Sequence, residues 1–168
     1  MSNWNKPQRL WVFILIIVGC NSNTPSEKET FEFLVQMIDK KDVHLYEGQS
    51  YTKISFKVVD IDKCSCEYGY TSYNGRYVIR KFSFVDAFGS SLSIGSGMMA
   101  DPIEISFEKE SVENIVYYPN GKLIEDLANP WLRKLTIWVK KGEGENIEKG
   151  FSNLIYLCNK KNKSDLFD

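Results

Sequence analysis

Short stretches in which apolar and polar residues alternate, separated by turn-forming residues, constrain this chain more than any other feature. Ile54, Phe56 and Val58 alternate with Ser55, Lys57 and Val59 inside 50–62. Ile103, Ile105 and Phe107 alternate with Glu104 and Ser106, and Leu135, Ile137 and Val139 oppose Lys134, Thr136, Trp138 and Lys140. A period of two puts successive side chains on opposite faces of a strand, so each stretch predicts a strand with one buried face. Asn74-Gly75 and Pro119-Asn120-Gly121 supply the φ freedom that tight turns need. Residues 66–75 are expected to form a Tyr- and Gly-rich loop or turn, 76–88 a strand, and 89–97 a loosely structured link. Residues 115–124 are expected to form a hairpin, 142–150 a charged loop and 151–158 a closing strand. Seven or eight short strands predict a mainly β domain, an antiparallel β-sandwich. The alternatives are a β-barrel, or an α+β fold with a helix at about 27–40.

That last alternative rests on one ambiguous segment. Ser26 with Glu29 has the spacing of a capping box, and Phe31, Leu34, Val35 and Ile38 come next at helical intervals. Phe31, Phe33, Val35 and Met37 also alternate as a strand would. A strand is preferred, because the chain beyond residue 43 has a β pattern.

The first twenty residues have a different character. Met1 to Arg9 carries Lys6 and Arg9 with no acid, and Leu10 to Val18 is unbroken apolar sequence. This is the layout of a secretory leader. The run falls short of the roughly 20 apolar residues that a membrane-spanning helix needs. It ends in Ile17-Val18-Gly19-Cys20, which resembles the lipobox of bacterial lipoproteins. In that family a peptidase cuts before the cysteine, and the thiol carries diacylglycerol. The resemblance implies lipidation at Cys20, a leader at 1–19, a lipidated tether at 20–30, a domain at 31–160 and a polar tail at 161–168. Asn21, where that family uses Asp to retain a protein at the inner membrane, points to the outer membrane. The resemblance covers only the leader.

Loss of 1–19 leaves 149 of the 168 residues, with 19 of the 21 basic residues against 22 acids. A domain this size with a slight acidic excess shows no basic footprint for nucleic acid. Cys64, Cys66 and Cys158 remain besides Cys20. Export would place them in an oxidising compartment. Cys64 and Cys66 are too close in an extended chain to prefer each other, so one of them is expected to bridge to Cys158. Two further fragments resemble immunoglobulin-like domains. One is an alternating strand, Glu47-Gly48-Gln49 and a second strand; the other is Tyr156-Leu157-Cys158, like the Tyr-x-Cys of a tyrosine corner. The cysteine spacing and the missing Trp depart from a true antibody-type domain, so the resemblance implies at most a related sandwich.

Chemistry is sparse. Asp60, Asp62, Cys64 and Cys66 would share a face of an extended segment and could approach a metal, but no second ligand pair accompanies them. His44 is the sole histidine and has no Gly-x-Ser-x-Gly elbow to serve. Gly95-Ser96-Gly97 lacks the spacing of a phosphate loop. No catalytic residue, metal or cofactor is assigned. Tyr117, Tyr118, Trp131 and Trp138 join a Tyr-rich 68–75 segment near expected strand ends, and Tyr68, Tyr70 and Tyr73 are the candidate binding residues. Exposed aromatic rings can stack on sugars or anchor a protein. The expectation is a non-catalytic, membrane-anchored envelope lipoprotein that binds an envelope protein or glycan. The alternative is an immunity or inhibitor lipoprotein that neutralises a toxin or hydrolase.

Overall fold

A computed structural model describes residues 24–164, apart from 47, 94–97 and 126. The leader and Cys20 lie outside the described residues. The protein is mainly β, with two antiparallel sheets. In chain order the elements are α1 (Glu27–Ile38), β1 (Val43–Tyr46), β2 (Gln49–Asp60), β3 (Ser65–Thr71), β4 (Tyr77–Ser83), a 3-10 turn (Phe84–Asp86), β5 (Ala87–Leu92), β6 (Ala100–Phe107), β7 (Val112–Tyr117), β8 (Trp131–Leu132), β9 (Lys134–Lys140) and α2 (Gly144–Ser164). One sheet has six strands in the order β1-β2-β3-β4-β7-β8, and the other has three, β5-β6-β9. They curl toward each other along β1, where Met99 N–H donates to the Leu45 carbonyl at 3.0 Å. Aromatic rings bridge the sheets. Phe82 meets Phe107 at 6.0 Å between centroids and Tyr51 meets Trp138 at 6.4 Å, both edge-on.

The alternating segments become strands for the expected reason. Ile54 and Phe56 of β2, Ile103, Ile105 and Phe107 of β6, and Leu135, Ile137 and Val139 of β9 are all buried. The turn over 72–75 and the hairpin over 115–124 form as expected; Leu123 bridges back to Tyr117. Other expectations fail. Residues 66–71 belong to β3 rather than to a loop, the strand expected over 76–88 is broken by the 3-10 turn, β5 continues through Leu92 where a loose link was expected, and the loop expected over 142–150 is helical from Gly144.

The segment at 31–38 is helical, not a strand. Ser26 Oγ accepts from Glu29 N–H at 3.3 Å, and the Glu29 carboxylate accepts from Ser26 N–H at 2.8 Å, so the capping box is formed. Phe31, Leu34 and Ile38 then fall on one buried stripe. Because α1 starts at Glu27, it takes up the last residues expected to be tether. The expected closing strand at 151–158 is also wrong. It is the middle of α2, whose Ile147, Phe151, Leu154, Ile155 and Cys158 form a buried stripe at helical spacing. Tyr156 and Cys158 therefore stand on a helix, and there is no tyrosine corner. The expected tail from 161 is likewise helical as far as Ser164.

The helices cross closely at Gly150. A Cβ there would lie 3.0 Å from Leu34 Cδ2 and 3.2 Å from Phe33 Cε1. Glycine removes that atom and lets α1 rest on α2. The rings of Phe31, Phe56, Phe84 and Phe151 then join both helices to β2 and the 3-10 turn.

Candidate functional site

The disulfide locks α2 onto the sheet. Cys64, in the β2–β3 turn at φ 51°, is bonded to Cys158 of α2 across a sequence separation of 94. Among the described residues Cys66 is the free thiol, and it is buried. Burial pushes its pKa up, so it holds its proton and is a poor nucleophile or ligand. The face at 60–66 does not assemble as a ligand set. Asp60 Oδ1 accepts from the backbone N–H of Asp62 and Lys63, and Asp62 pairs with Lys161 at 3.2 Å. The Glu27 carboxylate lies within 4.8 Å of both disulfide sulfurs. Those sulfurs are already bonded to each other and have no thiolate to offer.

Tyr68 and Tyr70 are not displayed from a loop. They occupy the core face of β3 and are buried. Tyr51 stacks on Tyr70 with centroids 4.3 Å apart. The Arg80 guanidinium lies 5.9 Å from the Tyr70 ring centroid and donates to its hydroxyl at 3.4 Å. Burial pushes the Tyr51 phenol up to about 12 and lifts Tyr68 further. These residues pack the core. Of the three candidate tyrosines Tyr68, Tyr70 and Tyr73, the last, on the β3–β4 turn, is the one that reaches solvent. His44 sits on β1 with its side chain exposed.

The aromatic residues best placed to meet a partner are two that the expected strand assignments concealed. Phe88 on β5 and Tyr156 on α2 are 62% and 61% exposed. They flank a groove of about 540 Å³ that is also lined by Gly89, Ser152, Ile155, Asn159 and Lys160. β5 is an edge strand, and α2 is tied along it at two places. Asn159 Nδ2 donates to the Ala87 carbonyl at 2.9 Å. One turn or more toward the helix start, Ser90 and Ser152 hydroxyls each donate to Glu148 Oε1 at 2.8 Å. Between these ties lies Gly89, where a Cβ would meet nothing within 4 Å, so the groove is open above it.

This arrangement offers the means to bind a partner. Two rings offer flat apolar area, and the hydroxyls, the amide and Lys160 offer hydrogen bonds at the rim. The Ser90 and Ser152 hydroxyls both donate to the Glu148 carboxylate, which fixes them at the rim. The sequence held one signal for the groove: Ile147, Phe151, Leu154 and Ile155 mark a helix whose other side must show Ser152 and Tyr156. Comparison with known proteins gives no matching family model, no matching curated protein and no matching solved structure.

Proposed function

We propose that the protein is a non-catalytic lipoprotein of the bacterial cell envelope, anchored through Cys20 to the outer membrane, that uses the β5–α2 groove to bind another envelope protein or a glycan. The groove carries the reading: two aromatic side chains more than half exposed line it from a strand and a helix, together with hydrogen-bonding groups. Large exposed rings in such a setting are characteristic of recognition surfaces. The Cys64–Cys158 disulfide supports the location, because such bonds persist in oxidising compartments.

A photoreactive residue placed at position 156 in cells tests the binding half. The expected result is a discrete adduct, protein or glycan by its mass, that disappears with Phe88→Ala. An adduct equally strong from a photoreactive residue at Lys53, away from the groove, would refute the assignment.

A further inference from the structure

The outer face of the six-stranded sheet carries a pattern that does not belong to the groove. On its core face Ile54, Phe56, Cys66, Tyr68, Tyr70, Val78, Phe82, Val112 and Val116 are buried. The opposite face should be polar. It is charged along one row and carries Ser65 paired with Ser83 in the row beside it. Lys57 pairs with Glu67, Glu67 with Lys81, and Lys81 with Glu113, so four adjacent strands present Lys, Glu, Lys and Glu in order. Lys81 Nζ reaches Glu113 Oε2 at 4.0 Å. The next rows are apolar on β4 and β7. Ile79 pairs with Ile115, and Tyr77 with Tyr117, all on the outer face and all only half-buried. On β2 and β3 the matching positions are small: Ser55 pairs with Gly69, and Thr52 with Thr71. The Tyr77 hydroxyl lies 2.8 Å from where a Gly69 Cβ would be, so this ring fills the space above the glycine.

We propose that this face is the interface of a twofold homodimer, with the axis parallel to the strands and midway between β3 and β4. That operation reverses the strand order across the interface. Lys57 then faces the partner's Glu113, and Glu67 faces the partner's Lys81, so all four charges of each copy meet an opposite charge. The same operation sets Ile79 and Ile115 against the partner's Gly69 and Ser55, where the partner's own Tyr77 ring lies over the glycine and offers an apolar surface. An axis running across the strands would set each Lys on a Lys and each Glu on a Glu, which costs energy and removes that alternative. The spacings are suitable: neighbouring strands lie about 4.8 Å apart and packed sheets about 10 Å apart, within reach of facing Lys and Glu side chains. Aligned sheets cross at about 30°, so the central rows stay opposed. The self-complementary charge order selects a second copy over an unrelated partner.

Sedimentation of the full chain in density-matched detergent tests this with two single charge reversals. The protein is expected to be a dimer. Lys81→Glu sets a new carboxylate against the partner's Glu67, and Glu67→Lys sets a new ammonium against the partner's Lys81, so each variant alone is expected to sediment as a monomer. Mixed in equal amounts, they restore every opposite pairing and are expected to form a heterodimer, which misfolded chains could not do. A monomeric wild-type protein, variants that stay dimeric alone, or a mixture that stays monomeric would each overturn the proposal.

Discussion

Tyr51 shows how a residue's surroundings become a measurable property. Its phenol is half-buried against Tyr70, and burial, with the neighbouring phenol, lifts its pKa from 10 to about 12. Tyr68, fully buried, shifts the same way. In both cases the folded state favours the protonated form. The stabilisation is therefore complete below pH 10, where the unfolded phenol keeps its proton, and is lost as the pH rises toward about 12. Melting temperature should fall steeply across that interval, while Tyr51→Phe should flatten part of the fall. A melting temperature unchanged from pH 10 to 12 would contradict the burial of these phenols. The sequence showed these tyrosines as a cluster but not their burial. Tyr68-Gly69-Tyr70 has turn-like composition, and only the strand register, which pairs Tyr68 with Arg80 and Gly69 with Ile79, places both rings on the core face. The glycine is there because the Tyr77 ring crosses over it, a long-range demand with no local signal.

At the scale of elements, the strands were legible because each carries its own period, and the helices were misread because theirs was masked. In α2 the buried stripe starts at Ile147, inside a run of charges, and crosses Gly150, which normally weakens a helix by about 1 kcal/mol. Cut at that glycine, Phe151 to Cys158 resembles a strand; taken from Ile147, it is a helix face. In α1 the capping box was the decisive signal, and the β-rich neighbourhood weighed against it. The disulfide was legible as a choice between two cysteines. The left-handed turn at Cys64, which aims its thiol at α2 while Cys66 enters the core, made that choice. A bridge spanning 94 residues removes much of the unfolded chain's freedom, worth up to about 4.7 kcal/mol in the chain-entropy model. Cys158→Ser should lower the urea midpoint by an amount consistent with 2–5 kcal/mol, roughly the cost of removing a native disulfide. A change under about 1 kcal/mol, the size of an ordinary substitution, would mean that α2 is held by its apolar stripe alone.

For the whole molecule, the proposed anchor and the observed entry point constrain each other. Asn153 Nδ2 reaches the Pro25 carbonyl at 3.4 Å and Thr30 Oγ1 at 2.9 Å, so the chain enters the domain against α2. The six residue steps from Cys20 to Ser26 span at most roughly 20 Å when extended. A lipid on Cys20 would therefore hold the start of α1, and the disulfide beside Glu27, close to the membrane. The decisive measurement for the anchor and the disulfide is the intact mass of protein taken from its native membrane, after free thiols are blocked under denaturing conditions. The expected result is a chain that begins at Cys20, carries acyl groups and has one blocked thiol, Cys66. A chain without lipid, in which Cys64 and Cys158 are also blocked, would contradict both the anchor and the oxidised envelope location.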